Sequence, residues 1–144
     1  MRKCINALII EIVHQKNLIM NPKDIFVEEM KKRTKKFGVD VILFCDSLKQ
    51  SKATSVVTYQ LIKSATSTGA NYRAACRGRS QAEFFSKISI VVEEADESLF
   101  WLEVINDSKL SEDQTELERL TNECTEILKI VTKSKDTTYR NINH

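Results

Sequence analysis

Glycine and proline are nearly missing from this sequence, with three glycines and one proline in 144 residues. Sandwiches and barrels reverse direction often, and tight reversals draw on these two residue types. Their scarcity points away from such folds and toward long helices joined by few loops. Histidine is scarce as well: only His14 and His144 occur. A di-iron site in a helical bundle takes a Glu-x-x-His motif from each of two helices. Glu11-Ile-Val-His14 supplies one, and nothing in the sequence supplies a second. The four cysteines, at 4, 45, 76 and 124, lack the short spacing of zinc sites and redox dithiols. Scattered free thiols fit a reducing, cytoplasmic setting. No Walker loop, dinucleotide fingerprint or serine elbow is present.

Two chemical candidates remain, and each has a plainer reading. The acid run Glu93 to Glu97 suits a helix face engaged in salt bridging better than a divalent-metal site. Cys76 stands beside Arg73 and Arg77, which would favour its thiolate, but it also ends an apolar stripe, and packing accounts for it. The expectation is a protein without catalysis, cofactor or metal.

A hydrophobic share of 42% with 29% charged residues is that of a folded globule. The length suits one domain and buries a core that needs no disulfide or metal. The opening segment MRKCINALIIEIVHQKN has a basic start and an apolar run, but Glu11 interrupts the run and no small-residue cleavage site follows. It is also too short to cross a bilayer, so no membrane partner is expected. Met20-Asn21-Pro22-Lys23-Asp24 reads as a helix start: a capping Asn, Pro at the first helical position and an acid in the first turn. Residues 1–19 are therefore expected to be an N-terminal extension, upstream of the natural start. Residues 20–134 are expected to form the bundle, and 135–144 a frayed polar tail.

Four helices follow from apolar spacing. Phe37, Val41, Phe44 and Leu48 mark a first, from Pro22 to about Gln50. Val57, Leu61, Ala65, Thr68, Tyr72 and Ala75 mark a second, from Ala53 to about Arg77. Gly78 and Ser80, with Glu83 three residues on, read as a helix end followed by a capping box. Phe84, Ile88, Val91, Ala95, Leu99 and Leu102 mark a third, from Gln81 to about Asn106. Leu117, Leu120, Cys124, Ile127 and Val131 mark a fourth, begun after a capping Ser111. Short connections make neighbours antiparallel, so the fold class is all-α, an up-down-up-down four-helix bundle.

The run from Ser64 to Asn71, SATSTGAN, is small and polar yet keeps helical phase. Gly69 and Ala70 fall away from the core stripe and give a flat surface that another backbone can approach. Ile90, Trp101 and Val104 lie opposite the core stripe of the third helix. A helix with two apolar faces has a second partner, so these five residues are expected at a homo-oligomer interface. Basic side chains exceed acidic ones, 10 to 6, in residues 1–50, most densely in Lys31 to Lys36, and acids lead 9 to 6 in residues 101–144. Such a run reads first as a solvated face and second as a polyanion patch. Arg73 and Arg77, four apart on one helix, with Arg79 and Lys87 beyond, form a candidate phosphate-binding cluster, since the guanidinium donates two hydrogen bonds at once. Tyr72 beside them faces the core.

Two stretches together, QLIKSATSTGANYRAA (60–75) and FFSKISIVVEEADESLFWLEVI (84–105), resemble the four-helix-bundle proteins encoded within intervening sequences of bacterial 23S rRNA genes. Ser64, Ser67, Gly69, Ala70 and Asn71 match one pattern of that family; Lys87, Ser89, Glu94, Ala95, Glu97, Trp101 and Leu102 match the other. The resemblance spans roughly residues 35–132. It departs at Val91, where the family often has Ala, and in the segment before Met20. It implies an antiparallel bundle that assembles as a ring, commonly a homopentamer, with no enzymatic activity established. It also implies kinship with the accessory proteins of diversity-generating retroelements, pentameric barrels that bind nucleic acid and a reverse transcriptase. Two functions stay open: an oligomer that binds structured RNA through repeated basic clusters, and, as the alternative, a protein-interaction scaffold whose basic residues only keep it soluble, or a retroelement accessory protein that binds a reverse transcriptase.

Overall fold

The computed structural model describes the backbone of residues 2–144 and all of their side chains except those of residues 2, 3 and 16–18. Five helices make up the described chain: α1 (Arg2–Ile19), α2 (Pro22–Ser47), α3 (Lys52–Ala75), α4 (Gln81–Asp107) and α5 (Gln114–Ile142). They divide into two units, residues 1–30 and 31–144. No helix among the described residues is long and apolar enough to cross a membrane.

The first unit contains α1 and the start of α2. Ile5, Leu8, Ile9, Ile12 and Val13 of α1 are exposed. The start of α2 follows its sequence signature. The Asn21 Oδ1 accepts the Asp24 N–H at 3.0 Å, satisfying one of the amides that every helix start leaves unpaired.

The second unit is the four-helix bundle, built from residues 31–47 of α2 with α3, α4 and α5. Its core is the set of apolar stripes read from the sequence: Phe37, Val41 and Phe44 of α2, Leu61 and Tyr72 of α3, Ile88, Val91 and Leu102 of α4, Leu120, Ile127 and Val131 of α5, all buried. Two expected core positions of α4, Phe84 and Leu99, are only half-buried. In place of Leu99 the buried residue is Ser98, whose hydroxyl donates to Ser64 Oγ of α3 at 2.9 Å, and Ser64 in turn donates to the Leu61 carbonyl at 3.2 Å. On the other flank of α4, Cys124 of α5 donates its thiol to the Ala95 carbonyl at 3.3 Å. Burial pushes the Cys124 and Cys45 thiols up to about 12, so both remain protonated packing groups at neutral pH.

The connections use a different chemistry at each corner. Ser51 caps α3 and Ser80 caps α4, each accepting the N–H three residues on at 3.1 Å. Glu83 completes the box from one residue further out, accepting the Arg79 N–H at 2.7 Å. Gly78 keeps a negative φ; its lack of a side chain serves space instead, because a Cβ there would lie 3.2 Å from the Phe84 nitrogen. After α4, Lys109 takes φ of 53°, and Leu110 N–H reaches back to the Ile105 carbonyl at 3.1 Å. That is a Schellman ending with lysine where glycine is usual. The cap of α5 is Asp113, not the expected Ser111: Asp113 Oδ1 accepts the Glu116 N–H at 3.0 Å, while Ser111 is buried and accepts the Asp113 N–H at 3.2 Å. The helix also runs through Ile142 instead of fraying after Ser134, since Thr138 is buried and Tyr139 packs its ring against Phe85 of α4 at 5.8 Å.

Candidate nucleic-acid interface

The small-residue run of α3 answers to α2 of the same chain. A Cβ on Gly69 would meet the Thr34 carbonyl oxygen at 3.1 Å and the Lys35 nitrogen at 3.3 Å. One turn away, a Cβ on Gly38 of α2 would touch the Thr66 backbone at 3.4 Å. The two helices thus cross at a pair of glycines, which lets their backbones come closer than side chains permit. The close approach at Gly69 is thus made by α2 of the same chain. Of the other expected interface residues, Ala70 is exposed, while Ile90, Trp101 and Val104 of α4 are half-buried. Trp101 stands edge-on to Phe100 at 5.0 Å and donates its indole N–H to Glu97 at 3.2 Å. Phe100 itself is exposed, and so are Val39, Ile42 and Leu43 of α2, Val56 and Tyr59 of α3, and Tyr139 and Ile142 of α5. The sequence reading singled out none of Val39, Ile42, Leu43 and Val56.

Opposite the glycine crossing, α2 meets α5 through charge. Arg33 donates from Nε and Nη2 to the two oxygens of Glu123 at 2.6 and 2.8 Å, and Nη2 also reaches Glu126. Further along, Arg119 of α5 donates to Asp40 at 3.0 Å and to Glu116, and Lys36 donates to Asp40 at 2.6 Å. The hydrogen bonds from Arg33 hold the Glu123 carboxyl below its ordinary range. Partial burial pushes Asp40 up, but the hydrogen bonds from Lys36 and Arg119 outweigh it and the net shift is downward. The basic run 31–36 is therefore neither wholly solvated nor wholly available to a ligand. Arg33 and Lys36 are engaged within the bundle, whereas Lys32 and Lys35 are exposed and join no ion pair among the described residues.

These contacts fix which helix ends lie together. Arg33 beside Glu123, Gly69 beside Thr34, Ser64 beside Ser98 and Tyr139 beside Phe85 set neighbouring helices antiparallel. One end of the bundle accordingly gathers the end of α3, the start of α4 and the end of α5, with residues 31–36 of α2 further inward, beside Gly69 and Glu123. Residues 70–90 and 126–144 carry eight basic side chains against three acidic, and residues 31–36 add five basic ones further along α2. The other end, residues 43–58 and 100–119, carries four basic against seven acidic. There Glu103, Asp107 and Glu118 line a depression of about 470 Å³ between α4 and α5.

Each residue of the expected phosphate-binding cluster lies at the basic end. Arg73, Arg77, Arg79 and Lys87 are all exposed, and none joins an ion pair among the described residues. Arg73 stands one turn beyond Gly69, so it flanks the same seam as Lys35. The sequence reading missed Lys129, Lys133, Lys135 and Arg140 of α5, which share this end. They are spread through an apolar-patterned helix, and only the antiparallel packing brings them beside α3 and α4.

The acid run of α4 has a different character. Partial burial, with Glu97 and Glu93 nearby, raises the Glu94 carboxyl, and Lys63 of α3 opposes the rise. Among the described residues no three His, Cys, Asp or Glu side chains converge as a metal site would require.

No curated protein matches this chain. Among solved structures it is similar to a protein of unknown function from the S23 ribosomal protein family of Bacteroides thetaiotaomicron VPI-5482. The two are 29% identical with a TM-score of 0.67, over 74% of this chain and 97% of that one. The profile of the 23S rRNA-intervening sequence protein family matches residues 28–133, the whole bundle short of the end of α5. With most of its length matched by that one profile, the chain belongs to the family of 23S rRNA-intervening sequence proteins.

Proposed function

We propose that this protein is a cytoplasmic, non-catalytic homo-oligomer that binds structured RNA through the basic end of its bundle. The observation that carries the reading is the gathering of Arg73, Arg77, Arg79 and Lys87 at one end, with Lys32 and Lys35 further inward on α2, all outside the ion pairs that join α2 to α5. Arginine suits phosphate through its paired donors, and exposed, unpaired cations keep their full charge for a polyanion. A single such cluster binds weakly, with non-specific complexes at about 10⁻⁴ to 10⁻⁶ M. Copies of the chain in a ring, five by family resemblance, repeat the cluster about one axis. An RNA that touches two copies makes its second contact at high effective concentration. The exposed apolar patch of Val39, Ile42, Leu43, Val56 and Tyr59, with Ala70 on the same side of α3, supports contact between copies.

The test is an anisotropy titration of structured RNA against the protein at several salt concentrations. Affinity is expected to fall steeply with salt, because each neutralised phosphate releases counterions, and to depend little on sequence. The double variant Arg73→Glu, Arg77→Glu is expected to bind more weakly, with a salt slope shallower by about two. Absence of binding by the unmutated chain at low salt, or an unchanged slope in the variant, overturns the reading and leaves the interaction scaffold in its place.

A further inference from the structure

The end of α5 carries more than charge. Lys129, Lys133 and Arg140, with Asp136 among them, line a surface depression of about 360 Å³. None of these four side chains joins an ion pair among the described residues, so the depression keeps a net positive lining. Beside it stands Tyr139, three residues from Asp136, a spacing that places both on neighbouring parts of one helix face. Tyr139 packs against Phe85 of α4, ring centroids 5.8 Å apart at a tilt of 39°, yet it is 57% exposed. A tyrosine that served only to close the end of the core would be covered; this one leaves much of its ring open beside a cationic hollow. Phe85 behind it restrains the ring, and a restrained aromatic loses little freedom when something stacks on it.

We propose that Tyr139, backed by Phe85, is a stacking platform for an unpaired base, and that Lys129, Lys133 and Arg140 hold the phosphates of the same strand. Basic side chains interleaved with an open aromatic ring are the arrangement by which proteins grip single strands, because every base has a π-face and duplexes keep theirs hidden. The ligand class is an unpaired nucleotide strand, in RNA a loop, bulge or end. This inference rests on the RNA-binding reading and deepens it, since it distinguishes a strand-gripping surface on α5 from the charge-only contacts of Arg73 and Arg77.

Anisotropy titrations of the full chain would use three labelled probes at one salt concentration: short oligouridylate, oligothymidylate of equal length, and a blunt RNA duplex. Tyr139→Ala is expected to weaken binding of both single strands roughly tenfold or more, the scale of one lost stacking contact, while duplex binding stays within about twofold. Tyr139→Phe keeps the ring and is expected to bind as the unmutated chain does. Tyr139→Leu keeps apolar cover over Phe85 but offers no π-face, so it should match the alanine variant even if alanine disturbs the helix end. Tighter binding of the uridylate makes RNA the natural strand, tighter binding of the thymidylate makes it DNA, and either supports the site. If Tyr139→Leu and Tyr139→Ala bind single strands normally, or lose strand and duplex alike, the platform is overturned while the charge-based reading stands. If the unmutated chain binds none of the probes at low salt, both fall together.

Discussion

Arg33 was read from the sequence as one cation in a solvated run, and its role is structural: two charge-assisted hydrogen bonds to Glu123 and a third to Glu126 tie α2 to α5. Glu123 is depressed by that contact, and Asp40 further along the same seam is depressed by Lys36 and Arg119 despite its partial burial. A carboxyl whose folded value lies below its unfolded one binds more protons when unfolded. Its stabilising effect is present above the ordinary carboxylate range and is lost as pH falls through and below it. Glu94 is shifted the other way, chiefly by burial, so its effect is full at low pH and is lost as pH rises. Two depressed groups outnumber one raised group, and the bundle is expected to lose stability between about pH 5 and pH 3. Arg33→Met should cost about 1 to 2 kcal/mol at pH 7, the scale of charge-assisted hydrogen bonds in a partly exposed network. It should also flatten the acid limb of the stability curve. Urea denaturation of both chains from pH 7 to pH 3 measures the two effects; a variant with the same acid limb as the parent would show that Arg33 does not set it.

At the scale of helices, the sequence disclosed what a single helix decides alone and concealed what two helices decide together. The core stripes of α2, α3 and α5 follow the 3.6-residue period and are buried as that period requires, because burial of a stripe needs only a partner of any kind. The crossing of α2 on α3 could not be read the same way. Gly69 has the phase of a flank residue, and nothing in one sequence says whether the backbone beside it belongs to the same chain or another. Likewise Lys129, Lys133 and Arg140 form no run; they join the basic end only because α5 lies antiparallel to α4, with Tyr139 against Phe85. The polar composition after Ser134 suggested fraying, yet buried Thr138 anchors that turn. Gly69→Leu tests the crossing. With the Thr34 carbonyl oxygen 3.1 Å from a Cβ, the larger side chain must push α2 and α3 apart, and a loss of about 3 kcal/mol or more is expected. Thermal melting at a concentration where the parent and variant have equal mass would show it. A variant of unchanged melting temperature that merely dissociates would return Gly69 to the surface between copies.

At the scale of the whole bundle, charge is sorted lengthwise, with a basic excess at the end that holds Arg73, Arg77 and Lys133 and an acidic excess at the end that holds Glu103 and Glu118. The molecule therefore has an electrical axis along its helices. A polyanion approaching from any direction is turned toward one pole before it touches a side chain, and its capture rate should fall with ionic strength faster than its escape rate rises. The same axis bears on assembly. Rotation alone would relate the subunits of the proposed ring, so with helices along the ring axis every copy would present like poles to its neighbours at the same height, and the dipoles would repel side by side. An anion bound to such a ring would relieve that repulsion, and by reciprocity of linked equilibria whatever the anion gained from the ring, the ring would gain from the anion. Light scattering at micromolar protein should thus report a smaller mean mass in low salt than in moderate salt, and the full mass in low salt once RNA or another polyanion is added. A large mass indifferent to both would mean that adjacent copies behave, in electrical terms, as independent rods, whereas a monomer's mass under every condition would remove the ring itself.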